Sequence, residues 1–169
     1  MKIKTKILSI FLLCVTLFCL TSCSEDEPAP ANYERPIVTI ARAITAMDTE
    51  AYLNCFTTDA KSAYVNGDNY NAELTKTFLP SQSENKRLIK TKTTSDKELE
   101  QEKIDELKQQ YKDTYKKRID ITKARKLTVD FILQGQQEQT ETKKFTVVWV
   151  ENRWLVFGDV IEEFEFVKK

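Results

Sequence analysis

At Leu127 the spacing of apolar residues changes, and that change sets the class of fold. Upstream, apolar side chains recur every three or four positions, the repeat of helices with one buried face. From Leu127 onward they recur every second position: Leu127, Val129, Phe131 and Leu133 alternate against Thr128, Asp130 and Ile132, as in a strand whose two faces differ. Gln134-Gly135-Gln136-Gln137 turns the chain, and Thr140 to Val150 returns with Phe145, Val147 and Trp149 on one face. Glu151-Asn152 reads as a two-residue hairpin turn, because Asn tolerates the positive φ such loops want. That turn places Trp149 opposite Trp154 in a non-hydrogen-bonded pair, with Cβ atoms about 4.5–5.5 Å apart. Trp154 to Phe157 and Val160 to Phe166 complete the sheet. Helices followed by an antiparallel meander of about four strands predict an α+β fold.

The helical half opens at Pro36, well placed in a first turn because its missing N–H has no partner there anyway. Ile37, Ile40, Ala41, Ile44 and Met47 form one apolar stripe, and Asp48 caps a second short helix through Tyr52, Leu53 and Phe56. From Thr57 to Thr93 the pattern weakens. Asn66-Gly67-Asp68-Asn69 and Pro80-Ser81-Gln82-Ser83 are turn signals, with a helical turn or two between them over Ala72 to Leu79. Ser95-Asp96-Lys97-Glu98 reads as a capping box. It predicts the longest helix, running to about Lys117 with Ile104, Leu107, Tyr111 and Tyr115 buried.

The chain has no histidine. That excludes Ser-His-Asp and Cys-His catalysis and every His-based metal site, and no cofactor or metal is expected. Cys14, Cys19 and Cys23 fall within or at the end of the first 23 residues, so Cys55 alone remains for the folded part. A lone thiol cannot form an internal bridge, and its place beside Leu53 and Phe56 predicts a buried, inert side chain.

Lys2, Lys4 and Lys6 precede a 14-residue apolar run from Ile7 to Leu20, a basic and then apolar leader of secretory type. The run is too short for a membrane span, which needs about 20 apolar residues. Leu20-Thr21-Ser22-Cys23 resembles the lipobox of bacterial lipoproteins. The resemblance implies that residues 1–22 are a signal peptide and that Cys23 is acylated and becomes the first residue of the mature chain. Two or three acyl chains make such an anchor effectively permanent. Residues 23–33 then form an acidic, proline-containing tether, in which Ser24-Glu25-Asp26-Glu27 resembles the surface-export signal of some Gram-negative lipoproteins. The implied address is the bacterial outer membrane, displayed at the cell surface or, alternatively, facing the periplasm.

Residues 34–169 suffice for one domain. Within them Ala43-Ile44-Thr45-Ala46-Met47-Asp48-Thr49-Glu50-Ala51-Tyr52 and Phe56-Thr57-Thr58-Asp59-Ala60 resemble the opening helices of the cystatin-like, nuclear-transport-factor-2-like superfamily. Ile119-Asp120-Ile121 behind a lysine-rich helix, Phe145 to Val150, and Asn152-Arg153-Trp154 resemble its lumazine-binding-like lipoprotein branch, a domain of unknown function. One position departs: that branch usually carries glycine in the hairpin where Asn152 stands. The resemblance implies a curved sheet wrapped into a cone around the long N-terminal helix, with an interior either filled or open as a pocket.

Several side chains are candidates for function. Tyr52, Phe56, Tyr64, Trp149 and Trp154 either line an apolar ligand pocket or belong to the core. Some superfamily members are isomerases or dehydratases. A histidine-free version would use an Asp base with a Tyr donor, and Asp59 and Asp130 are the carboxylates to consider. Their plain alternatives are a cap or turn for Asp59 and a solvated strand position for Asp130. Residues 86–126 hold 14 basic and 8 acidic side chains. Acids threaded through the helix predict a solvated face rather than a nucleic-acid groove, and the residues after position 22 carry 23 basic against 26 acidic groups. The last strands are apolar on both faces. Val148, Val150, Leu155 and Phe157 therefore either form an exposed patch, the seat of a homodimer, or lie under the segment from Ala72 to Thr93. The expected function is a non-enzymatic, lipid-anchored domain binding a ligand or protein partner. A small acid–base enzyme and a homodimerisation module are the alternatives.

Overall fold

The computed structural model describes residues 31–67, 87–134 and 138–160. Helix α1 (Arg35–Ala46) has Pro36 in its first turn and buries Ile37, Ile40, Ala41, Ala43 and Ile44. It stops at Met47, whose φ is 57°. The Met47 amide there donates to the Ile44 carbonyl at 3.3 Å and the Asp48 amide to the Ala43 carbonyl at 2.8 Å, the paired bonds of a Schellman stop. Met47, expected on the buried stripe, is consequently turned outward and 45% exposed. Asp48 caps helix α2 (Thr49–Leu53) as expected, its carboxylate accepting from the Ala51 amide at 3.0 Å. Helix α3 (Thr58–Val65) follows within the stretch whose pattern was weak.

Strand β1 (Arg87–Glu98), helix α4 (Gln101–Tyr115), and strands β2 (Lys123–Gln134), β3 (Gln139–Val150) and β4 (Arg153–Phe157) complete the described elements. The strands form one antiparallel sheet in the order β1-β2-β3-β4, and with the helices this is an α+β fold. The capping box is overturned. Ser95 to Glu98 end β1, where Ser95 pairs with Thr128, Asp96 with Leu127, Lys97 with Lys126 and Glu98 with Arg125. Strand pairing satisfies the backbone groups that a cap would have served, and Arg125 supplies a counter-charge that only the sheet brings near. The ladder runs on through the Leu99 amide, which donates to the Ala124 carbonyl at 2.9 Å. Helix α4 therefore starts at Gln101, and it stops at Tyr115 because Lys116 takes φ 58°.

The two faces of the sheet bury different elements. Leu127, Val129, Phe131, Leu133, Phe145, Val147 and Val156 pack with α1, α2 and the start of α3. On the other face Ala124, Val148, Val150, Leu155 and Phe157 pack with Ile121 and with Ile104 and Tyr111 of α4. Of the two alternatives for Val148, Val150, Leu155 and Phe157, burial is the one found, and among the described residues α4 supplies the cover. Burying each of those large side chains is worth about 1.5–3 kcal/mol, enough to seat a helix that is charged nearly everywhere else.

Glu151 and Asn152 both have positive φ, 54° and 59°. This is the type I′ turn of a two-residue hairpin, made without glycine. The far edge of β4 is tied to the helical half by the Val156 amide, which donates to the Cys55 carbonyl at 2.8 Å, beside a parallel bridge between Phe56 and Val156. The expectations for Cys23, for residues 72–83 and 135–137, and for the end of the sheet beyond Val160 fall outside the described residues.

Candidate functional site

Asp59 lies in the first turn of α3 and joins that helix to the end of α4. Its carboxylate accepts from the Tyr111 hydroxyl at 2.9 Å and from the Lys117 ammonium at 2.5 Å. The Lys117 hydrogen bond holds the carboxyl below the usual carboxylate range; desolvation opposes this and the Tyr111 bond adds to it. Tyr111 is buried, and desolvation together with the adjacent Asp59 pushes its hydroxyl up to about 12. Thr57, the one buried polar side chain among the described residues, lies beside the same hydroxyl and offsets part of that rise. The Asp and Tyr of the acid–base expectation are thus brought together, but with the opposite electrostatics. A general base or acid working near neutrality needs its carboxyl pushed up toward the working pH. Here the carboxylate is ionised and tied at both oxygens, which suits a helix-joining clamp.

The candidate aromatics divide between two places. Tyr52 and Phe56 are core residues, 0% and 1% exposed, with ring centroids 5.3 Å apart. The Tyr52 hydroxyl donates to the Val160 carbonyl, closing the end of the sheet over α2. Tyr64 is half-buried against the same cluster. Trp149 and Trp154 meet as predicted across the hairpin, with centroids 5.7 Å apart and planes at 66°, and both are half-buried. Trp154 also takes Tyr33 edge-on at 6.1 Å. Trp154 and Tyr33 pack against the same core cluster from its edge.

The corner holds a feature that the sequence reading missed. Arg125 on β2 reaches across to β1, bonding Asp96 through Nη2 and Glu98 through Nη1, the latter at 3.1 Å. Its guanidinium carbon lies 4.5 Å from the centre of the Tyr33 ring, a cation–π contact. The Asp96 carboxyl beneath is held low, first by Arg125 and then by the nearby Tyr33. The segment leading into α1 is thereby fixed to the edge strand. The signal for this cluster is a strand register, which could not be read while residues 95–98 were assigned to a helix.

Asp130 sits on the sheet face opposite Val129 and Phe131 as expected, and accepts from the Thr142 hydroxyl at 2.6 Å. It is on a different element from Asp59 and shares no partner with it. Cys55 is buried, donates to the Ala51 carbonyl at 3.3 Å, and has its thiol pushed up to about 12 by burial. Among the described residues no three His, Cys, Asp or Glu side chains gather as a metal site would require. No family model matches the chain, and no curated protein is similar to it.

Proposed function

We propose that this chain is a lipoprotein of the bacterial outer membrane, acylated on Cys23 and carrying a non-enzymatic domain that binds a ligand or protein partner. The observation that carries the reading is Leu20-Thr21-Ser22-Cys23 at the end of a basic and then apolar leader, followed at once by an acidic tether. The domain is read as a nuclear-transport-factor-2-like cone. In support, the apolar stripe of α1 packs on one face of an antiparallel meander, and α2 follows directly from its Asp cap. Binding is preferred to catalysis because Asp59, the carboxylate best placed beside a tyrosine, is held ionised between Lys117 and Tyr111. Mass spectrometry of the native protein tests the anchor: an N-terminal peptide beginning at acylated Cys23 is expected. An unmodified Cys23, or residues 1–22 still attached, overturns it. Protease shaving of intact cells tests display, with cleavage expected and an uncut protein assigning the domain to the periplasmic side.

A further inference from the structure

Among the described residues, the second face of the sheet is covered over only part of its length. The last wholly apolar row under α4 is Ala124, Val148 and Leu155, and Phe157 alone reaches into the next, opposite Thr146. One step further along the strands, Lys126 on β2 stands opposite Lys97 on β1 and Thr146 on β3. At the next step Lys144 on β3 is opposite Thr128, and at the third Lys92 on β1 is opposite Asp130, itself opposite Thr142. All four lysines are exposed, and among the described residues none has a hydrogen-bond or ion-pair partner. Asp130 is the described carboxylate on this shelf, and it is engaged by Thr142. Lys97 and Lys126 are direct cross-strand partners, and like charges so placed cost stability unless something neutralises them.

We infer that this lysine shelf docks an extended acidic polypeptide segment with carboxylates on alternate residues. The inference rests on the reading of the domain as a binding module and supplies the chemistry of its partner. Geometry argues for an extended chain. The lysines recur at two-residue steps along the strands, about 6.5–7 Å each, and alternate side chains of an extended peptide repeat at the same distance. A peptide lying along the strands therefore meets a lysine at each step, with threonine hydroxyls between to donate to its carboxylates.

The surroundings argue against other anions. Helix α4 lies on the same face and, with side chains, is about 10 Å across, so a planar bilayer meets the helix before the lysines. A narrow chain lies beside it. Single-stranded nucleic acid binds through stacking aromatics along a basic groove, and the shelf presents lysine, threonine and serine instead. It has no arginine either, the residue suited to planar, two-pronged recognition of phosphate.

The test uses the full mature chain and a labelled ten-residue peptide of alternating Glu and Thr, read by fluorescence anisotropy at about 50 mM salt. Binding is expected, and it should be largely lost at about 500 mM salt as the charges are screened. Lys97→Thr, Lys126→Thr and Lys144→Thr should each weaken it by about two- to fivefold, as for exposed ion pairs, whereas Lys112→Thr on α4 should not. A peptide of the same composition with its Glu residues in one block should bind more weakly. Far-UV circular dichroism confirms that each variant is folded. Three results overturn the proposal: no binding at low salt, binding indifferent to the shelf lysines, or tighter engagement of those lysines by phosphatidylglycerol vesicles or an oligonucleotide. None of these bears on Cys23, so the anchor and the shelf stand or fall separately.

Discussion

Replacing Tyr111 with Phe removes one hydroxyl and leaves the ring in place, so it isolates the polar clamp between α3 and α4. The ring is 3% exposed and packs with Tyr115 at 4.7 Å and Phe157 at 6.2 Å between centroids, contacts that Phe retains. A hydrogen bond to an ionised group is worth about 1.5–3 kcal/mol. The lower end applies here, because Asp59 keeps Lys117 and its side chain is 17% exposed, so water replaces part of the loss. The greater apolarity of Phe offsets a fraction, leaving a cost of about 1 kcal/mol. For a domain of this size each kcal/mol moves the melting temperature by about 4 °C, so a drop near 4 °C is expected, with a lower urea midpoint at unchanged slope. The pH dependence is the stricter check. The Asp59 carboxyl is lowered on folding, so its contribution is present above the unfolded value near 3.9 and is lost as pH falls through the folded one. The gap between the parent chain and Tyr111→Phe should therefore close in acid. A cost below about 0.5 kcal/mol at neutral pH, or a gap undiminished at pH 2, refutes the clamp.

Cys55 should resist a thiol reagent in the native protein and react once unfolded. Its thiol is raised from 9.0 to about 12, so stability should also decline as pH climbs through that interval, where only the unfolded chain has lost the proton. In the hairpin, Asn152→Gly should leave thermal stability within about 0.5 kcal/mol, whereas Asn152→Ala, forced to hold φ near 59°, should cost about 1 kcal/mol in urea melts. Leu155→Ala should cost about 2–5 kcal/mol and speed amide exchange across residues 101–115, since Leu155 is part of the ground on which α4 rests.

The parts of the fold legible in the sequence are those where one face is apolar and the other is not. Alternation from Leu127 and from Phe145 located β2 and β3, and Glu151-Asn152 located their hairpin with β4 and the facing tryptophans. The stripe from Ile37 to Ile44 and the Asp48 cap located α1 and α2. Strand β1 was illegible because its described residues from Lys90 to Glu98 are lysine, threonine, serine and acids on both faces, with no buried member among them. Its pairing with β2 makes it a strand, and local patterning carries no trace of a neighbour more than 25 residues away. The same distance hid the chemistry. Asp59 was a visible candidate, but Tyr111 and Lys117 stand 52 and 58 residues further on, and whether they raise or lower its carboxyl depends on where α4 ends.

That helix also explains how one face of the sheet comes to hold two environments. Strands β1 to β3 are each 12 residues long, about 40 Å, whereas the 15 residues of α4 extend only about 22 Å. A helix of that length cannot cover the whole face, and the residues divide accordingly: Ala124, Val148 and Leu155 beneath it, Phe157 at the boundary opposite Thr146, and Lys126, Lys97, Lys144 and Lys92 beyond it. Apolar side chains continued past the end of α4 would leave an exposed patch on the sheet, a site for aggregation. Lysine and threonine at those positions avoid such a patch. Among the described residues they also leave a row of positive charge without a partner at the repeat of an extended chain, so the same shortfall in helix length that demanded polar residues sets the spacing at which an acidic segment can be read.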